Sequence, residues 1–393
     1  MAATALRRPD PFALTEEERA VRATAAQFAQ RELAPTVAQR DEEERYDRAL
    51  FERMGELGLT GLPYAEEYGG AGMGSFPWVL ACEEIAVADM GMAVSLSVHV
   101  LAQLCILSFG TDAQKTRLLP PMTAGTHLGA FALTEPQAGS DASAIGLRAD
   151  RDGDDYLLTG TKVWITNGAD ADVIVVFATV DRSLGREGIT AFVVERDTPG
   201  FRVGSHERKM GIRDAVSVEL IFDGARVAAA NRLGDEGQGL KLALSALGVG
   251  RISIAAACVG LGRAALEHAT RYATQRSQFG RSIAEQEMVQ AMLADAAVSV
   301  EAARLLTWRA AHLRDAGQPI NTASSMAKLY ASDTAMRVAT DAVQIYGGAG
   351  YSRDNPVERF MRDAKGAQIY EGTNQIQRLI VAQHLIEEVR RTG

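Results

Sequence analysis

Residues 173–180 read Val-Ile-Val-Val-Phe-Ala-Thr-Val. A short, uncharged run so rich in β-branched residues reads as a β-strand. Similar runs stand at Val163-Trp164-Ile165-Thr166, Thr190 to Val194 and Val216 to Phe222, with Gly153, Gly160, Gly168, Gly188 and Gly200 at the turns. The block from about Phe131 to Phe222 is therefore a β domain of roughly 100 residues, too long for a linker.

On both sides of this block the spacing is helical. Thr15-Glu16-Glu17-Glu18 has the form of a capped helix start, followed by Val21, Ala25, Phe28 and Leu33. Leu50, Met54, Leu57 and Leu59 continue the pattern to Pro63, Gly69-Gly70-Ala71-Gly72 is a loop, and Trp78 to Ala88 is helical again. Met90 to Leu107 is almost wholly apolar, a helix buried on all sides that is either plain core or the lining of a ligand pocket. After Gly234-Asp235-Glu236-Gly237 come helices at Leu240 to Gln275, Ala284 to Ala316 and Asn321 to about Tyr346, and two more flank residues 367–378. Glycines inside a helix cost ~1 kcal/mol each, so Gly248, Gly250, Gly260 and Gly262 predict close approach by another helix or a ligand. The expected architecture is an α+β multidomain fold. An N-terminal α-helical domain (1–128) precedes a middle β-sandwich or barrel-like domain (129–234) and a C-terminal four-helix bundle (235–393).

Composition narrows the function. A net charge of -9 argues against a nucleic-acid partner. No apolar run approaches the ~18 residues of a membrane span. Arg7 and Arg8 precede no apolar core, so no secretory signal is expected. Cys82, Cys105 and Cys258 are scattered among apolar residues, as buried thiols in a reducing, cytoplasmic compartment would be. The six histidines show no ligand spacing, and no metal is expected.

The chemistry concentrates in four loops and one C-terminal stretch. In AQIYEGTNQIQR (367–378), Glu371 lies between an apolar run and a Gly-Thr-Asn turn before a helix. Held away from water, it would have a raised pKa and act as a base; the ordinary alternative is a solvated glutamate favoured by the helix dipole. FALTEPQAGSDA (131–142) is an anion cradle or an Asx/Ser turn. In KVWITNG (162–168), Trp164 and Thr166 share a face, as a border for a flat heterocycle or as a core tryptophan with a satisfied threonine. Arg276 and Phe279 of RSQFG (276–280) either grip a diphosphate and an adenine or close a helix. The glycines of AVQIYGGAGY (342–351) do not follow a strand, which disfavours a Rossmann loop.

Jointly, and in this order, these motifs resemble the acyl-CoA dehydrogenase family from about Thr15 to Ile386. The resemblance implies FAD bound between the β domain and the bundle. Phe131, Leu133, Thr134, Gly139 and Ser140 would contact flavin or pyrophosphate, and Trp164, Ile165 and Thr166 would border the isoalloxazine. Arg276, Phe279, Gln344, Gly347 and Gly348 would reach a neighbouring subunit's FAD, Ile345 would also contact the cofactor, and Thr373 and Gln375 would hold the adenine side. Glu371 matches the family's catalytic base. Ser140, Arg251, Tyr370 and Gly372 would meet the acyl-CoA, while Val94, Ser97 and Val98 would leave room for a short or medium acyl chain. Some relatives carry the base just before the arginine matching Arg251; here that position is Gly250, which leaves Glu371. Two departures concern Gly248, where many relatives have aspartate, and Glu287 beside Gln286, where a cofactor-contacting glutamine is expected. The resemblance further implies acyl-CoA α,β-dehydrogenation in fatty acid β-oxidation, an electron-transferring flavoprotein as acceptor, and a homotetramer built as a dimer of dimers. The alternatives are an oxidase or monooxygenase on the same fold, and a non-catalytic nucleic-acid-binding member, which the net charge opposes.

Overall fold

The computed structural model describes residues 12–392; Arg7 and Arg8 lie outside the described residues. Helix α1 (Glu16–Phe28) starts at the expected cap, Thr15 Oγ1 accepting from Glu18 N–H while the Glu18 carboxylate accepts from Thr15 N–H. A π-helical turn at Ala29–Leu33 leads to α2 (Val37–Glu43) and α3 (Arg48–Glu56). The latter does not run to Pro63, because Gly58 (φ 74) turns the chain just beyond its end. Then come α4 (Ser75–Ala88), the buried α5 (Met90–Phe109) and α6 (Asp112–Thr123).

One eight-stranded sheet follows: β1 (Gly129–Ala132), β2 (Arg148–Asp152), β3 (Asp155–Thr166), β4 (Val173–Thr179), β5 (Ile189–Glu195), β6 (Phe201–His206), β7 (Ser217–Val227) and β8 (Arg232–Leu233). Its order is β6-β7-β3-β2-β4-β5-β8, with β1 paired parallel to β4. The uninterrupted apolar run of β4 has a physical cause: both faces are covered. Ile174, Val176 and Ala178 join Phe192, Leu220 and Phe222 in the sheet's own core. Val173, Val175 and Phe177 join the core made by the helices.

The C-terminal part contains α7 (Gly239–Gln275), a small hairpin of β9 (Ser277–Gln278) and β10 (Arg281–Ser282), α8 (Glu287–Asp315), α9 (Asn321–Tyr346), α10 (Val357–Ala367) and α11 (Asn374–Thr392). Helix α8 begins later than the expected Ala284, since Ser282 caps a separate 3-10 turn and Gln286 is extended. Helix α7 packs against α4, α5, α8 and α9. Two of its glycines permit this: a Cβ at Gly260 would lie 2.1 Å from the Glu83 carbonyl oxygen of α4, and one at Gly262 3.3 Å from Val300 of α8. At Gly248 no helix comes close, the only neighbour in reach being Ile320 at 3.8 Å.

The expectation about apolar runs also needs correction. Helices α5 and α7 are long and apolar enough to cross a membrane, each with a mean hydropathy of 1.9 over its most apolar window. Most of each window (72% and 83%) is buried inside the protein, so internal packing accounts for the hydropathy. The three cysteines are free and buried, as expected. Across the junction of the helical and β parts, buried Arg40 pairs with Asp89 and Asp214, at 2.5 Å each. The segment carrying Asp214 is tied in turn to α10 by Ile212 N–H donating to Asp363 Oδ1 (2.5 Å).

Candidate active site

Between α10 and α11 the chain makes a tight reversal. Thr373 Oγ1 accepts from Ile376 N–H and so starts α11, while Asn374 N–H donates back to the Gln368 carbonyl at 3.0 Å. The reversal requires left-handed backbone at two successive residues, Glu371 (φ 52) and Gly372 (φ 87). Glycine takes that conformation freely; glutamate does not, and holds it here because its surroundings fix it. Gln377 Nε2 donates to the carbonyls of Glu371 (3.2 Å) and Gly372 (2.9 Å). Lys328 Nζ, from α9, donates to the same Gly372 carbonyl and to Asn374 Oδ1, both at 2.9 Å.

This geometry turns the Glu371 side chain inward, toward α7. Its Oε2 is buried without a hydrogen-bond partner. Burial raises its pKa to about 7, against the opposing charges of Lys328 and Arg251. A Cβ at Gly250 would lie 2.4 Å from Oε2, so the carboxylate occupies the space that a side chain at this position would need. The Glu371 N–H donates to no acceptor among the described residues. Next along α7, Arg251 Nη1 donates to Asn321 Oδ1 (3.0 Å) and Ser325 Oγ (3.3 Å), while its Nε is buried without a partner. Tyr370 also has a buried, unpartnered hydroxyl, and burial raises its pKa.

From the other side comes α5. Ser97 Oγ lies 2.6 Å from Ser253 Oγ of α7, and Ser253 donates to the Gly250 carbonyl at 2.9 Å. Ser97 is fully buried, Val94 nearly so and Val98 half-buried. The single chain thus gathers Glu371, Gly372 and Tyr370 beside Gly250 and Arg251 of α7 and joins α7 to α5 through Ser97.

In the β part, the loop after β1 is pinned from within. Lys162 Nζ donates to Glu135 Oε1 (2.6 Å) and to the Leu133 carbonyl (2.9 Å), both charges fully buried. Phe131 packs tilted on Phe177 (centroids 4.9 Å), Leu133 is buried, Thr134 half-buried, and Gly139 and Ser140 exposed. In β3 a bulge sets Val163 and Trp164 opposite the single residue Glu219, and Trp164 takes a left-handed φ of 61. Trp164 is 57% exposed, whereas the Ile165 side chain joins the sheet core, so only its backbone can face a ligand. Thr166 Oγ1 lies 3.0 Å from Ser217 Oγ.

Arg276, Phe279, Gln344, Gly347 and Gly348 are exposed and Ile345 is buried; Phe279, at 97%, is the most exposed large apolar residue among those described. The single chain does not bring this group to Glu371. Gln375 is exposed, and the Thr373 hydroxyl serves the helix start. Glu287 is exposed at the start of α8, with Gln286 Oε1 accepting from Arg281. No group of three or more potential metal ligands occurs among the described residues.

Sequence reasoning missed Lys328, Asn374 and Gln377, all buried around the reversal. A signal was present: Ser324, Lys328 and Ser332 recur every fourth residue, a polar line on a helix whose other inward residues are mostly alanine.

Three family models match the chain: the N-terminal domain of acyl-CoA dehydrogenase over residues 15–126, the middle domain over 130–225 and the C-terminal domain over 237–386. An acyl-CoA dehydrogenase of Bacillus subtilis (strain 168) is 48% identical, the match covering 95% of this chain and 99% of that protein. The butyryl-CoA dehydrogenase structure from Megasphaera elsdenii superposes with a TM-score of 0.94 at 45% identity, covering 96% of this chain and 100% of that one. A chain from a structure described as the electron-transferring flavoprotein of Acidaminococcus fermentans matches with a TM-score of 0.95 at 48% identity, covering 96% and 99%.

Proposed function

Because the chain belongs to the acyl-CoA dehydrogenase family, we infer that it uses FAD to introduce an α,β double bond into an acyl-CoA thioester, with Glu371 as the base. The observation that carries this reading is the buried, unpartnered Glu371 Oε2 on a loop held rigidly by Lys328 and Gln377. The residues assigned to FAD fit a large planar ligand. Trp164 leaves more than half of its surface exposed, and a Cβ at Gly139, Gly347 or Gly348 would meet nothing within 4 Å. We assign the flavin border to Trp164, the Ile165 backbone and Thr166, and the pyrophosphate side to Phe131, Leu133, Thr134, Gly139 and Ser140. Bound FAD supplies the acceptor for the hydride leaving the β-carbon.

The chain's own residues do the rest. Glu371 takes the α-proton as the C–H bond breaks, and its electron pair becomes the new double bond as the β-hydride departs. A carboxylate raised to about 7 is a stronger base than a solvated one, which the weakly acidic α C–H requires. The free Glu371 N–H is available to the thioester oxygen, where negative charge develops. Arg251, Tyr370 and Gly372 line the acyl-CoA side with Ser140. Val94, Ser97 and Val98 set the depth for a short acyl chain, in line with the butyryl-CoA dehydrogenase relative.

The exposed Arg276, Phe279, Gln344, Gly347 and Gly348, with Ile345 beneath, support a homotetramer in which they complete a neighbour's FAD site together with Thr373 and Gln375. An electron-transferring flavoprotein is the proposed acceptor, consistent with the Acidaminococcus match. We place the protein in the cytoplasm without a membrane span and divide it at 1–128, 129–234 and 235–393.

Anaerobic mixing of the FAD-loaded protein with straight-chain, branched and aromatic acyl-CoAs tests the reaction. Butyryl-CoA should bleach the flavin fastest; no bleaching by any member of the panel would refute it. A second test addresses the space beside the base. In Gly250→Ala the new methyl displaces the carboxylate, and the bleaching rate should fall by about 10²-fold with FAD retained.

A further inference from the structure

We propose that Lys328 is a positioning residue for the base: it fixes the backbone reversal that aims Glu371 and supplies the positive charge that keeps Glu371 ionisable inside the protein. The inference rests on the reading of Glu371 given above and extends it to a residue on another helix.

The geometric argument starts from the carbonyl of Gly372. It accepts from Lys328 Nζ and from Gln377 Nε2, each at 2.9 Å, which fixes the peptide plane after Gly372. Gln377 also holds the Glu371 carbonyl, fixing the plane before Gly372. With both planes set, the left-handed turn at Glu371 cannot relax, and its side chain leaves the backbone toward Gly250. Lys328 is anchored by Asn374 Oδ1, which also accepts from Ser332, and Asn374 Nδ2 donates to Asp333. A neutral side chain could fill this space, yet the sequence places a fully buried ammonium here, with a neutral amide and a carbonyl as its hydrogen-bond partners. Such a charge is costly to bury unless a counter-charge stands near.

Glu371 is the nearby anion of the loop. Two cations face it, Lys328 from α9 and Arg251 from α7, and both favour its ionised form against burial. Cys258 of α7, Asp333 of α9, Asp363 of α10 and Tyr370 stand around this group. Arg251 is turned to Asn321 and Ser325 and makes no hydrogen bond to the reversal. Lys328 alone of the two cations both touches the reversal's backbone and bears the charge. Burial lowers its own pKa to about 8, and the charge of Glu371 works against that lowering, so each of the two favours the charged form of the other.

The test is an infrared pH titration of the buried carboxylic acid band, assigned by its loss in Glu371→Gln, on FAD-loaded protein without substrate. In Lys328→Gln, which removes the charge but keeps a donor, the midpoint should rise by roughly one pH unit. Flavin bleaching by acyl-CoA should then slow about fivefold at pH 7 and recover at higher pH. Gln377→Met should slow bleaching across the pH range and leave the midpoint in place. An unmoved midpoint in Lys328→Gln, or an equal rise in Gln377→Met, overturns the proposal. Should Lys328→Gln fail to retain FAD, Lys328→Arg decides: with the charge kept the midpoint must stay, and a rise overturns the proposal. Because the titration needs no turnover, it stands even if no acyl-CoA bleaches the wild-type flavin, an outcome that refutes only the proposed reaction.

Discussion

Glu371→Gln is expected to yield yellow, FAD-loaded protein whose flavin is bleached by acyl-CoA on the order of 10⁴-fold more slowly than in the wild type, the upper end of general-base contributions. The amide has nearly the same shape, and the site gives no reason for it to move. Oε2 has no partner to lose, and the Lys328 and Gln377 contacts are to backbone carbonyls that the substitution leaves in place. What disappears is the lone pair that accepts a proton. The wild-type rate should rise with pH and level off above about pH 7, where the carboxyl is ionised, and the variant should lack this limb. Stability supplies an independent check. The folded-state pKa of Glu371 is raised from 4.5 to about 7, so its contribution to stability is complete below the unfolded value and lost as pH rises through about 7. Glu371→Gln escapes this loss. Its urea midpoint should match the wild type at pH 4 and exceed it at pH 8. Near-wild-type bleaching in the variant would mean that another group is the base.

The largest stability effect is expected far from Glu371. Lys162→Met should destabilise the fold by about 3–5 kcal/mol, because it leaves a buried carboxylate without its cation. Glu135 accepts from Lys162 at 2.6 Å and from the Gly146 (2.6 Å) and Leu147 (3.0 Å) backbone N–H groups, and it is only 4% exposed. The pair joins the loop after β1 to β3, and that loop carries Thr134, Gly139 and Ser140. FAD should therefore be lost at lower urea concentration than the global transition, visible as flavin fluorescence released before the helical signal falls. Unfolding at the wild-type midpoint with FAD retained would show that the loop is held by something else.

How far the residues disclosed all this depends on the range of the interactions. The capping box at Thr15 and the strand run at β4 are local and could be read directly. Glu371 could be singled out as a candidate because the glutamate, the glycine and the Thr-Asn turn are adjacent in the chain, although that stretch alone fits a solvated glutamate equally. Its burial was not, since the partners that aim it lie on α9 and the surface it faces lies on α7. Gly250 illustrates the difference. From the sequence it is a glycine where a rival base would otherwise stand; in three dimensions it makes the space that the Glu371 carboxylate fills. The bulge at Val163 and Trp164 escaped for a similar reason: the extra residue shows only against β7. The Arg40, Asp89 and Asp214 cluster gave no signal, because its members are scattered through the chain and each alone resembles a surface charge.

Strand β4 has no outside. Half of its side chains serve the sheet's interior and the other half are roofed by helices, so the middle third of the polypeptide has no seam along which it could part from its neighbours. Cut free, it would present Val173, Val175, Phe177 and the matching side of β5 to water as a continuous greasy slab. The platform that would carry the flavin and the bundle that carries Glu371 should therefore melt together, the spacing between them being set by one shared wall rather than by a hinge.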